Sequence, residues 1–131
     1  MYSKEILSLD DVKRVAAAAE AEAKRNNWNV VIAIVDDGGH LMYLQREKVQ
    51  LGSIDVAITK AKTALMFRRP TKFWEQTVAD GRQGYLALKG MLPIEGGLPL
   101  VHNDEIVGAI GVSGVQSFQD GQIAQAGVDA L

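Results

Sequence analysis

The sequence predicts an α/β fold in which an antiparallel sheet is covered by helices on both faces. Three observations lead there. Residues 29–36 and 105–115 carry apolar or small side chains at both alternating positions, the pattern of strands buried on two sides. Each is joined to a neighbouring strand by a turn too short for a parallel crossover. The rest of the chain is largely helical in pattern and supplies the covering layers.

Ser8 and Asp11 form a capping-box signature ahead of an alanine-rich stretch, with acids at its start and Lys24-Arg25 at its end. This spacing predicts a helix over 9–26, whose alanines imply close packing against a sheet or another subunit. The β-branched run 29–36 is the first central strand. Asp37-Gly38-Gly39 is a hairpin signal, and 41–45 returns as the second strand. A helix begins near Gly52 with Ser53 as N-cap. Its apolar face is Ile54, Ala57, Ile58, Ala61 and Leu65, and it stops before Pro70. Thr71 caps a short helix to about Ala79, and 81–90 is a helical turn or a loop. The segment Ile94 to Pro99 is too rich in glycine and proline for a regular helix. Strands at 100–102 and 105–115 meet at Asn103-Asp104. On the longer one, Ile106, Gly108, Ile110, Val112 and Gly114 share one face, and Val107, Ala109, Gly111, Ser113 and Val115 the other. Ser117 and Asp120 repeat the capping pattern before a last helix.

The 131 residues fit one domain, 1–131, and 47% hydrophobic against 23% charged residues is ample for a core. Net charge is -2, and Arg68-Arg69 with Lys72 is the one dense basic cluster. It reads as a solvated helix end, so no nucleic-acid partner is expected. Cysteine is absent, which excludes disulfides, thiolate nucleophiles and cysteine-bound metal. The longest apolar run, Val30–Val35, is far short of the ~20 residues that span a bilayer. Residues 1–5 lead into no apolar signal-peptide core, so no membrane partner and a cytoplasmic location are expected.

Several fragments, in this order, resemble the GlcG/HbpS-like family. They are Val35-Asp36-Asp37-Gly38-Gly39-His40-Leu41, Gly52 to Ala57, Lys60 to Ala64, Gly96-Gly97-Leu98-Pro99, Val107 to Gly114, Gln119-Asp120 and Ala124 to Gly127. The family was once called a domain of unknown function, is often labelled haem-degrading, and includes the C-terminal domain of PduO-type proteins. The resemblance implies a profilin-like or Roadblock-like α/β sandwich (an α+β sandwich) built on a five-stranded antiparallel sheet. It also implies homo-oligomers such as dimers and octamers, haem as a cofactor in some members, and a role beside metabolic operons in others. The sequence departs from its relatives at 45–50, where Arg46 and Glu47 stand as counterparts of an arginine and an acidic residue.

His40 and His102 both adjoin predicted turns. Each is a candidate axial ligand for haem iron or an exposed turn residue. Zinc needs three or four locally paired ligands, and no such set is present, so no metal site is expected. Gly111-Val112-Ser113-Gly114 lacks the spacing of a nucleophile elbow; its glycines indicate close approach by a helix or a flat ligand. Gly96-Gly97 can offer amide donors to an anion. Lys60, on a largely apolar helix with Thr63, can anchor a carboxylate or a haem propionate, carry a proton, or pair with Asp36 or Asp55. Asp120 reads as a helix cap.

The expected function is a homo-oligomeric ligand-binding protein, accessory to a metabolic pathway, that holds haem or another planar or anionic metabolite. Its ligand-binding candidates are Lys60, Thr63, Arg46, Gly96, Gly97, Ser113 and Gly114. Two alternatives stand beside it. One is an enzyme that acts on small hydroxy- or keto-acids or degrades haem, with Lys60 and Asp36 as acid–base groups, although no complete catalytic set assembles. The other is a scaffold subunit using the alanine-rich first helix as its interface.

Overall fold

Val31 to Val35 is buried at every position, so this strand needs cover on both faces and dictates a three-layer arrangement. A computed structural model describes Met1 to Leu131. In chain order the elements are α1 (Leu9–Arg25), β1 (Val31–Asp36), β2 (Leu41–Arg46), α2 (Gly52–Met66), α3 (Thr71–Ala79), a 3-10 turn (Gln83–Ala87), β3 (Gly97–His102), β4 (Glu105–Ser113) and α4 (Ser117–Asp129). The sheet is antiparallel throughout, ordered β2-β1-β4-β3. The central strands are the two identified from sequence.

The sheet has four strands, not five. Pro93 lacks an amide donor, and pairing upstream of β3 extends only to Gly96, whose carbonyl accepts the Val112 N–H at 3.0 Å. The outer edge of β3 is met instead by Thr71, whose hydroxyl accepts the Gly97 N–H at 2.8 Å.

One face of the sheet packs Ile32, Ile34, Leu100, Ile110 and Val112 against Val12, Val15, Ala16 and Ala19 of α1 and Ile123 and Ala124 of α4. The other face packs Val31, Ala33, Val35 and Ala109 against Ala57, Ala61, Ala64 and Leu65 of α2. Most of the small residues of α1 are therefore consumed inside the protomer, leaving only Ala17 and Ala21 exposed for the scaffold role. Gly111 lies directly beneath α2: a Cβ there would sit 2.0 Å from the Ala57 carbonyl oxygen. Helix backbone, not a ligand, occupies that space.

Strict alternation along β4 fails at one place. Leu100 pairs with Gly108 and Val101 with Ile106, which makes Val107 the extra residue of a β-bulge. Val107 consequently joins the α1/α4 core, while Ile106 packs on the α2 side. Met42 plays the same part in β2, between the pairs Ile34–Tyr43 and Val35–Leu41. Met42 and Tyr43 both pack on the α1/α4 core as a result.

The helix ends carry further corrections. Ser8 and Asp11 form the expected capping box. Ser53 does not cap α2; it is buried one residue inside the helix, where its hydroxyl accepts from the Gln50 side chain. Pro70, not Thr71, stands at the N-cap of α3. At α4 the N-cap is Gln116, whose N–H donates to the Gln119 side chain at 3.2 Å. Helix α2 ends at Met66, earlier than Pro70 requires, because Arg68 adopts φ +58° and its N–H and that of Arg69 turn back onto Leu65 and Ala64. No helix is long and apolar enough to cross a membrane.

Candidate functional site

Lys60 occupies the buried face of α2 beside Ala57, Ala61 and Ala64, and is itself only 2% exposed. A buried ammonium needs partners, since desolvation otherwise drives it neutral. Its Nζ donates to the Val112 carbonyl at 3.0 Å and to Asp120 Oδ2 at 3.1 Å. Asp120, in the first turn of α4, also accepts the Val115 N–H at 3.1 Å. Neither Asp36 nor Asp55 is the partner, and Asp120 is a buried counter-ion more than a helix cap. Burial pushes its carboxyl above the ordinary carboxylate range, and the adjacent Lys60 charge opposes that shift.

Above this pair lies the glycine segment. Gly96 has φ +134°, and a Cβ there would stand 2.8 Å from Lys60 Nζ. At Gly97 it would stand 2.3 Å from the Lys60 carbonyl oxygen. The two glycines let the chain cross over the lysine. A shallow cleft of about 280 Å³ opens outside them, with Lys72, Glu95 and Gln125 around Gly96, Gly97 and Gly121.

The remaining candidates divide around this centre. Thr63 is buried and committed: its hydroxyl donates to the Thr59 carbonyl at 2.8 Å and accepts the Leu92 N–H at 3.0 Å, pinning the chain ahead of β3. Ser113 is buried opposite Val31, and a Cβ on Gly114 would meet the Asn29 carbonyl oxygen at 2.6 Å. Arg46 is exposed at the end of β2, two strands from β4.

Both histidines lie at the other end of the sheet. The β1–β2 and β3–β4 turns share that end because β1 and β4 are antiparallel, with Asp36 opposite Gly108. From Glu105 to Ser113 is roughly 26 Å at about 3.3 Å per residue. Lys60 and the histidines therefore cannot serve one compact site within a single chain. Lys60 and Asp36 are likewise not brought together as an acid–base pair. Asp36 instead accepts the N–H groups of Gly38 and His40, each at 2.9 Å. The His40 N–H, ahead of the opposing effect of burial, holds its carboxyl below the usual range.

His40 and His102 are exposed. His102 Nε2 lies 3.8 Å from a Glu5 carboxylate oxygen. It borders a cleft of about 160 Å³ lined by Ile6, Leu7, Val107 and Leu131 and by Glu5, Asp11 and Arg14, the last two paired at 3.1 Å. An accessible imidazole and an apolar wall are the groups that ligate iron and cover a porphyrin face, so these residues fit haem at this end, where Arg14 would exchange its Asp11 partner for a propionate. Each cleft is smaller than the ~300–1,000 Å³ that encloses a drug-sized ligand. A planar ligand would thus lie across the surface or be covered by a second molecule. Sequence reasoning missed Asp120 as a counter-ion, together with Thr71, Arg14, Lys72 and Gln125. The available signal was Lys60 itself, a charged residue on an alanine face that requires an acid from elsewhere.

The model of the family described as haem degrading protein HbpS-like matches residues 7–129. Protein GlcG of Escherichia coli K12 is 40% identical over 114 residues, which cover 86% of this chain and 85% of GlcG. The crystal structure of Klebsiella pneumoniae protein ORFY superposes with a TM-score of 0.89 at 30% identity, covering 99% of this chain and 94% of that one. A crystal structure of a PduOC:haem complex superposes with a TM-score of 0.87 at 28% identity, covering 97% and 96%.

Proposed function

The chain belongs to the HbpS-like family, and from that premise we propose that it is a homo-oligomeric ligand-binding protein of the cytoplasm that holds haem at the histidine end of its sheet. The observation that carries this reading is the exposed His102 imidazole at a cleft walled by Ile6, Leu7, Val107 and Leu131 with Arg14 alongside. The haem complex of the similar PduOC protein supports it. When bound, haem supplies redox and gas-ligand chemistry at its iron. The chain's own contribution is binding. His102 would ligate the iron, the aliphatic wall would exclude water beside it, and Arg14 would exchange its Asp11 partner for a haem carboxylate. His40, flanked by Asp36 and Asp37, lacks such a wall and is the lesser candidate. Lys60 and Asp120 position the strands and do not touch the ligand. The role accessory to metabolism follows the same family premise.

Titration of purified apoprotein with haem tests the reading. A saturable Soret shift is expected in the wild type and in His40→Ala, and its loss in His102→Ala. Absence of any shift, or an unchanged shift in His102→Ala, overturns it.

A second reading, an anionic metabolite bound at the cleft over Gly96-Gly97, is favoured by Lys72 and Gln125 bordering three glycines. Protection of Lys72 from acylation by a small carboxylate would support it, and equal labelling with and without the carboxylate would remove it.

A further inference from the structure

We propose that residues 67–90, which carry α3 and the 3-10 turn, form a docking arm that seats on the acidic turn end of a second copy of this chain. This rests on the reading that the protein self-assembles, and it assigns the surfaces.

The arm stands apart from both cores. It is built on a small aromatic cluster: Trp74 meets Phe67, Phe73 and Tyr85 at centroid distances of 6.0, 5.1 and 5.0 Å. The Arg69 guanidinium covers Phe73 at 4.3 Å and that of Arg82 covers Tyr85 at 5.3 Å. Apolar side chains nevertheless remain in water, with Phe73 42%, Leu86 55% and Leu88 39% exposed. The indole Nε1 of Trp74 is buried with no acceptor in its own chain. An apolar surface set among cations is the composition of an interface core and its rim.

Charge complementarity points to the occupant. Residues 67–90 hold five basic and two acidic side chains, whereas the rest of the chain holds nine basic and fourteen acidic. The acids gather where the β1–β2 turn, the β3–β4 turn and the N-terminal segment meet. Glu5, Asp36, Asp37, Asp104 and Glu105 lie there, and Lys4–Asp37 and Glu5–His102 contacts tie the segment across. Leu41 and Val101, beside those turns, and Ile6 in that segment are exposed. A basic arm with apolar teeth thus faces an acidic end with apolar teeth on an identical chain. Such a contact is isologous if it is made twice about a two-fold axis and heterologous if it closes head-to-tail into a ring. Docked this way, the arm also brings Phe73, Leu86 and Leu88 to the end that holds His102.

The test uses two full-length variants, arm-reversed Arg69→Glu/Arg82→Glu/Lys89→Glu and end-reversed Asp37→Lys/Glu105→Lys. Sedimentation velocity follows each, after far-UV circular dichroism confirms native helix content. Wild type is expected as an oligomer that dissociates at least tenfold more readily in 1 M salt than in 0.1 M. Each variant alone is expected as a monomer, while an equimolar mixture of the two regains the wild-type mass because each arm meets an end of opposite charge. A wild type that is monomeric at high concentration overturns the self-assembly reading itself. Variants that each keep the wild-type mass, or a mixture that stays monomeric, overturn the assignment of surfaces and leave that reading standing. If an arm variant folds poorly, Leu86→Glu/Leu88→Glu serves in its place, with loss of the oligomer expected and retention overturning the proposal.

Discussion

The Lys60 ammonium meets the Asp120 carboxylate at 3.1 Å although α2 and α4 cover opposite faces of the sheet. The lysine passes the end of β4, where it also takes the Val112 carbonyl, so one side chain ties all three layers together.

Removing one member of that pair strands the other charge in the interior. Asp120→Ala is expected to lose about 3–5 kcal/mol of stability. Lys60→Met/Asp120→Asn, which removes both charges and keeps an acceptor for Val115, should recover at least half of the loss. Urea denaturation of Lys60→Met, Asp120→Asn and the double decides, and simple additivity would show that the two side chains are not coupled.

Gly111 carries no side chain because the Ala57 carbonyl fills its place. Gly111→Ala is expected to cost about 3 kcal/mol or more, since backbone cannot yield as a flexible side chain can. Gly84→Ala, where a Cβ meets nothing within 4 Å, should stay within about 0.5 kcal/mol of wild type. Thermal midpoints of the two variants provide the comparison.

Asp36 contributes through its ionised form. Its folded-state pKa is depressed, foremost by the His40 N–H, so the folded state binds its proton less readily than the unfolded chain does. The stabilisation is therefore complete above the ordinary aspartate value of about 4 and fades as pH falls through the lower folded value. The midpoint difference between wild type and Asp36→Asn should be largest at pH 6–7 and shrink toward pH 3. A difference that grows with acid would reverse the sign of this assignment.

Thr71→Val replaces the hydroxyl that accepts the Gly97 N–H with a methyl of similar size. Leaving that buried amide unpaired is expected to cost about 1–3 kcal/mol. Amide exchange at Gly97 should accelerate more than at Ile110 if the loss is local to the edge of β3.

The central layer was legible because β1 and β4 are short runs with small or apolar residues on both faces, bounded by turn residues, and β1 is rich in β-branched side chains. The Asp37–Gly39 turn, with Gly39 at φ +86°, and the Asn103-Asp104 turn, with φ +50° and +64°, were legible from turn chemistry alone. The bulges at Met42 and Val107 were not, because an extra residue leaves composition unchanged and shows only in the partner strand's register. Lys60 stood out as a charge on an alanine face, yet its partner was hidden. Asp120 is sixty residues away, and only the packing of α4 against the far side of β4 brings it near. The ligand candidates failed to converge for a simpler reason. Chain order does not say which end of a strand a residue occupies, and the histidines and the glycines fall at opposite ends of β4.

The contact between Gly111 and the backbone of α2 has a mechanical consequence. At Gly111 helix and sheet meet main chain to main chain, with no side chain between them that could rearrange to let one glide over the other. Shape changes that accompany ligand entry or assembly must therefore fall to the connections at the rim, while the central slab behaves as a stiff plate.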